Sequence, residues 1–322
     1  MRVIENVKLS LWNEIAEKSP HATFFHTPYW SEIMVKTFSC KDITKAFVFD
    51  DGTTVIFPFI QTKGKITNLF LNDYRSGYPY TYGGPISDRI LSFEKYNEII
   101  DYFKTVLKKY YRILVRGNPY TDGFKTIDFQ EAWDLSHVAE LIKCKNEDDV
   151  FKTYGRRYRS YIRKAIRSNT LKVKEAKTIH EYENLYNIYK RSQRYWDVVL
   201  THYPLRLFKN LYNMKCKHIK LWTVYCKDKM VGGDVTLYWK NRCFMWLSYH
   251  EREFSKLHSR RYMLHNVFLD CKERGVEYYD FLQSGGIESQ EKFKRSMGGK
   301  EYQHCAWLKE NYLVSLAKKK RF

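Results

Sequence analysis

The chain has 322 residues, 44% hydrophobic and 17% aromatic. That is enough apolar side chain to bury one large core or two of common size, which excludes a disordered chain. The net charge is +20, and it is confined to one half: residues 1–150 carry 19 Lys/Arg against 20 Asp/Glu, and residues 151–322 carry 37 against 16. A field of that kind attracts nucleic acid, phosphorylated small molecules or an anionic membrane surface.

In chain order, Leu9–Lys18 and Ser31–Phe38 have helical patterns. Lys45–Asp50 and Thr53–Gln61 read as strands joined by the turn Asp50-Asp51-Gly52, with Pro58 placing the second at a sheet edge or a strand end. Ile66–Leu71 is a further apolar run. The loop Tyr78-Pro79-Tyr80-Thr81-Tyr82-Gly83-Gly84-Pro85 is either a turn packed on the core or the wall of a ligand cleft. Phe93–Tyr111 reads as a helix, Arg112–Arg116 and Thr126–Leu135 as strands.

Phe151–Lys174 holds nine Lys or Arg and no acid. Tyr154, Tyr158, Tyr161, Ile162 and Ala165 recur at steps of three and four, which puts them on one face of a helix. Arg156, Arg159, Arg163 and Arg167 form a stripe on the other. Like charges at that spacing repel, so the stripe either meets an anion or is a solvated basic face. Helices follow at His180–Ser192 and Leu205–Tyr212. A three-stranded meander spans Ile219–Cys226, Met230–Trp239 and Cys243–Tyr249. Arg260–Glu273 is an amphipathic helix ended by Gly275. Val276–Leu282 and Tyr302–Leu308 are strands, and Lys318–Phe322 reads as a frayed, solubilising tail.

The seven cysteines are odd in number and form no CxxC, so free thiols in a reducing compartment are expected. No His, Cys or carboxylate group has metal-ligand spacing. With no leader-like apolar core and no apolar run of about 20 residues, the expectation is a cytoplasmic protein without stable membrane insertion.

Six short motifs occur in order: His26-Thr27-Pro28-Tyr29-Trp30, Tyr82-Gly83-Gly84-Pro85, Asp134-Leu135-Ser136, Tyr161-Ile162-Arg163-Lys164-Ala165, Tyr279-Asp280-Phe281 with Gly285-Gly286, and Phe293-Lys294 with Gly298-Gly299. Together they resemble the FemABX-like transferases of the GNAT superfamily, over roughly Thr23 to Leu308. The resemblance implies an α/β (α+β) protein of two tandem GNAT-like domains, each a mixed, mostly antiparallel sheet flanked by helices, with a cleft between them. Residues 1–140 would be a degenerate copy and residues 141–322 the acyltransferase domain.

The implied activity is transfer of an acyl or aminoacyl group to an amine, in cell-envelope or polysaccharide precursor synthesis. Acyl-CoA or aminoacyl-tRNA would be the co-substrate, with no tightly bound cofactor, and the acceptor would be a phosphorylated or nucleotide-linked amine. The chain departs from the family pattern in lacking a coiled-coil insertion. It also lacks the glycine-rich pyrophosphate turn of ordinary GNAT enzymes: Arg252–Arg261 (REFSKLHSRR) has bases and no glycine. Charged side chains at that helix N-terminus could substitute, but this is a departure from the family pattern that bears on acetyl-CoA as donor.

No Ser-His-Asp or Cys-His arrangement is evident, so direct attack without a covalent enzyme intermediate is expected. The resemblance places Lys294, after Phe293, at the developing oxyanion. Asp280, facing the Gly285-Gly286 loop, either takes the amine proton, orients the substrate or caps the next turn. Tyr249 lines a cleft or belongs to the core. Arg156 and Arg163 are candidates to hold a phosphate, and Gly83 and Gly84 to let a loop approach the acceptor. The alternative is a non-catalytic, basic tRNA-binding protein whose tyrosines stack bases. The basic helix lacks the Leu/Phe/Trp face of an interfacial membrane helix.

Overall fold

The structure is a computed structural model that describes residues 1–66, 69–78, 81–107, 110–121, 130–195 and 202–312. Pro79 and Tyr80 of the aromatic loop, residues 67–68 of the third apolar run, residues 108–109 of the predicted helix, residues 126–129 of the predicted strand and the basic tail lie outside them. The chain forms two compact units, Met1–Leu135 with Gln303–Phe322, and Ser136–Tyr302. The final segment belongs to the first unit, whereas a division at residue 140 assigns it to the second.

The first unit begins with β1 (Arg2–Ile4), α1 (Leu9–Lys18) and α2 (Pro28–Thr37), then β2 (Lys41–Asp42), β3 (Lys45–Val48) and β4 (Thr54–Phe57). Pro58 splits the expected second strand, because it has no N–H to give a ladder, and β5 (Ile60–Ile66) starts after it. Next come β6 (Leu69–Ser76), β7 (Ile86–Ser87), α3 (Phe93–Val106), β8 (Tyr110–Arg116) and the start of β9 (Gln130–Glu140). The helix expected to reach Tyr111 stops at Val106, and its last residues instead open β8. β3 pairs β1 and β4, β5 pairs β2 and β6, and β6 runs parallel to β8.

Phe103 of α3 anchors this core, with ring centroids 5.6, 5.1 and 4.8 Å from Phe47, Phe57 and Phe59. Two of the sequence motifs meet here. Thr27 caps α2 by accepting from the Trp30 N–H, and Pro28 occupies the first helical turn, where its missing donor costs nothing. The fully buried His26 sets its Nε2 2.9 Å from the Gly83 carbonyl, and its Nδ1 accepts from the Thr23 N–H at 3.1 Å.

The second unit takes the end of β9, then α4 (Glu147–Thr153), α5 (Arg156–Ser168), β10 (Leu171–Glu175), α6 (Ile179–Ser192) and α7 (Leu205–Asn213). The meander follows as β11 (Ile219–Cys226), β12 (Lys229–Trp239) and β13 (Arg242–His250), then α8 (Ser259–Glu273), β14 (Tyr278–Gln283), α9 (Glu288–Ser296) and the start of β15 (Gly299–Glu310), which from Gln303 on belongs to the first unit. Strands β10 to β13 pair antiparallel in sequence order. β14 joins β13 in parallel, over Arg242–Phe244 and Tyr278–Asp280 alone, and pairs residues 136–140 of β9 antiparallel on its other side. The expected apolar face of α5 is the one that packs: Ile162 and Ala165 are buried and Tyr158 and Tyr161 half-buried, whereas Tyr154, expected on the same helix face, is buried just before the helix, at the end of α4. α9, read in the sequence only as a charged stretch, buries just Phe293 and Lys294.

Burial holds two imidazoles of the first unit neutral: those of His26 and His304 are each pushed down to about 4. In the unfolded chain both titrate near 6.5, so the unfolded state binds more protons between pH 6.5 and 4, and stability is lost as pH falls through that window. Denaturation of the His26→Gln variant is expected to show an acid loss smaller than wild type by roughly 2–3 kcal/mol. Equal pH dependence in the two proteins would sink this assignment.

Candidate functional site

The second unit concentrates its buried charge around the end of β14. Asp280 is fully buried, and its Oδ1 accepts from the Leu282 N–H at 2.7 Å. That bond bends the strand, and Leu282 takes a left-handed φ of 57° that costs a non-glycine residue roughly 1–3 kcal/mol unless its surroundings hold it. Lys294 holds it from the other side: its Nζ donates to the carbonyls of Leu282 at 2.8 Å and Gln283 at 2.9 Å. Lys294 is 4% exposed. Desolvation pushes its ammonium down to about 7, against the pull of Asp280 and helped by Arg260.

The close seat of α9 depends on Gly299. A Cβ there would stand 2.9 Å from the Lys294 carbonyl oxygen and 3.1 Å from the His137 Cβ, closer than ordinary side chains pack. Arg260, near the start of α8, reaches the same helix. Its guanidinium lies 4.0 Å from the Phe293 ring centroid, and both terminal nitrogens donate to Gln290 Oε1 at 3.3 Å.

Several polar atoms here are buried with no hydrogen-bond partner among the described residues: Asp234 Oδ2, the Nε of Arg260 and of Arg261, Tyr279 Oη, Ser284 Oγ, and both ring nitrogens of His137. Buried polar groups are nearly always paired, so such a concentration marks a place built for further contacts. His250 Nε2 lies 3.2 Å from Asp234 Oδ1. His137 is fully buried, and burial followed by the Lys294 charge lowers its pKa. The sequence reading missed His137, Asp234, His250 and Arg260. Only the pairing of distant strands shows them, although His137 directly follows the Asp134-Leu135-Ser136 motif.

Of the expected site residues, Lys294, Asp280 and Phe293 come together. Asp280 is buried, and its bond from the Leu282 N–H is the geometry of the turn-capping reading. Gly285 is exposed with φ 60° in the loop after β14. Tyr249 belongs to the core: it is 8% exposed and packs 4.9 Å from the Tyr189 ring of α6. Arg156 and Arg163 are exposed on α5, with the Arg163 guanidinium 5.4 Å from the Phe151 ring. Gly83 serves backbone packing, since a Cβ would fall 2.3 Å from the Ser76 carbonyl carbon. Gly83 and Gly84 also line a cavity of about 370 Å³ within the first unit.

In the REFSKLHSRR segment, Arg252–Leu257 forms a 3-10 helix and His258 takes φ 59° just before α8. The bases expected to replace a glycine-rich cradle are only partly outward. Arg260 turns onto Phe293, and Arg261 lies over Tyr158 at 4.6 Å.

Two outcomes test this geometry. Gly299→Ala is expected to lower stability by about 1–3 kcal/mol, read as a reduced urea midpoint; an unchanged midpoint counts against the close packing. Lys294 releases its proton near pH 7 when folded and near 10.5 when unfolded. Between those values the unfolded chain binds more protons, so its contribution to stability rises with pH. Lys294→Met is expected to remove that rise, and an identical alkaline stability profile would show that the amine is not buried as described.

Residues 153–295 match the family profile of the Acetyltransferase (GNAT) domain. No curated protein matches the sequence significantly. The crystal structure of FemX superposes with a TM-score of 0.68 at 13% identity, covering 98% of this chain and 99% of FemX. A conserved protein of unknown function from Bacteroides thetaiotaomicron VPI-5482 gives 0.57 at 12% identity, covering 95% and 99%. The C-terminal domain (DUF2156) of a putative lysylphosphatidylglycerol synthetase from Agrobacterium fabrum gives 0.58 at 8% identity, covering 97% and 95%. The chain thus has the GNAT fold, shared with FemX over nearly its whole length, and residues 153–295 match the GNAT domain profile.

Proposed function

We propose that this protein transfers an acyl or aminoacyl group from a phosphate-bearing donor, acyl-CoA or aminoacyl-tRNA, to the amine of a cell-envelope or polysaccharide precursor. The observation that carries this reading is the ammonium of Lys294. When protonated it has three N–H donors, and two are spent on the Leu282 and Gln283 carbonyls. The third is left for an oxyanion, in a water-excluded place where such a donor is worth the most.

The acceptor's neutral amine attacks the donor's carbonyl carbon, and charge collects on the carbonyl oxygen against Lys294. The C–N bond forms as the thioester C–S or ester C–O bond breaks, and the proton lost by the amine ends on the departing thiolate or alkoxide. Asp280 is a positioning residue, because it shapes the turn whose carbonyls hold Lys294. A donor with phosphates is supported by the unpartnered Nε atoms of Arg260 and Arg261 at the start of α8 and by the exposed Arg156 and Arg163 on α5. Arginine suits phosphate because its planar fork binds two oxygens at once.

The exposed arginines of α5 favour one other reading, a tRNA binder without catalysis. Binding and single-turnover transfer distinguish the two, with radiolabelled acetyl-CoA and aminoacyl-tRNA offered in parallel. Lys294→Ala is expected to cut turnover about a hundredfold or more with little change in donor affinity. Arg163→Ala is expected to weaken donor binding severalfold. Full activity in both variants, or equal salt-sensitive binding of charged and uncharged tRNA without transfer, defeats the transferase reading.

A further inference from the structure

The cavity in the first unit has a lining unlike the basic second half of the chain. Tyr96, Trp133 and Trp307 supply aromatic surface, and Asn118, Glu131 and Gln303 supply planar polar groups. Among the described residues that line it there is no Lys or Arg. At about 370 Å³ it is at the small end of ligand sites, which run from roughly 300 to 1,000 Å³.

Each feature narrows the ligand. One carboxylate and no cation among the described lining residues disfavour a phosphate or carboxylate and favour a positive charge. Glu131 pairs with no cation among the described residues. Trp133 is 66% exposed, a large ring left in water beside that carboxylate. An ammonium gains from both, through a charge-assisted hydrogen bond to the carboxylate and attraction to the ring faces. The polar groups ask for more than an ammonium. Asn118 Oδ1 is used by the Tyr120 N–H, which leaves its amide hydrogens as donors, and Gln303 offers a donor and an acceptor. Such groups suit hydroxyls carried on a compact ring whose apolar side rests on an aromatic surface.

We propose that this cavity is a binding site for an amino sugar, with the ammonium at Glu131, the ring against Trp133 and Tyr96, and the hydroxyls met by Asn118 and Gln303. The site lies wholly within the first unit, and the inference is independent of the transfer reading.

The test is calorimetric titration of the full chain at pH 6, without any acyl donor, using glucosamine, glucose, N-acetylglucosamine and cyclohexylamine as probes. Glucosamine is expected to bind saturably and at least about tenfold tighter than each of the other three. Glu131→Gln is expected to erase the preference over glucose, and Trp133→Ala to weaken glucosamine about tenfold. Both side chains are exposed, so neither change removes core, and unaltered circular dichroism verifies that. Equal binding of glucosamine and glucose overturns the role of Glu131. Cyclohexylamine binding as tightly as glucosamine overturns the sugar, and no saturable binding of glucosamine overturns the site.

Discussion

The ammonium of Lys294 is held almost entirely out of water by two main-chain carbonyls. Desolvating a cation is expensive, and two neutral acceptors offset only part of the cost. The remainder appears as a pKa lowered to about 7. Much of the second unit is arranged so that this unfavourable burial persists. Asp280 supplies opposite charge and bends the strand that presents the carbonyls. Arg260 braces the face of α9 that carries Phe293. Gly299 lets the turn after α9 close tightly enough to keep the lysine inward.

That arrangement also explains why β14 leaves its parallel neighbour early. The pairing with β13 ends at Asp280, where the side chain begins to take main-chain hydrogen bonds. Beyond that point β14 keeps only its pairing with β9, and the carbonyls of Leu282 and Gln283 accept from Lys294. The unpartnered atoms of Asp234, Arg260, Tyr279 and His137 belong to the same unit. They are tolerable in a folded protein if a substrate or solvent completes them.

The two units differ in charge. The second carries the arginine-rich α5 and the buried lysine. The first holds neutral imidazoles, an aromatic core and a cavity with a single carboxylate among its described lining residues. Its His26 and Gly83 link two sequence motifs through one hydrogen bond, which helps to fix the loop bearing Gly83 and Gly84.

Local pattern alone determined the meander, the helices at α1, α5, α6 and α8, and the buried face of α5, because helical and strand periodicities are written in neighbouring residues. The charge asymmetry and the Phe293-Lys294 motif were equally visible. Lys294 could be named from the sequence, but its burial could not, since apart from Phe293 no other residue of α9 is buried. Tertiary structure alone decided that Tyr249 is core, that Gly83 packs on Ser76, and that Arg260 turns inward. His137, Asp234, His250 and Arg260 stand on four separate elements, and the sequence holds no spacing that joins them. Only strand pairing and helix docking, which fix contacts between residues far apart in the chain, place those charges in one unit around Lys294.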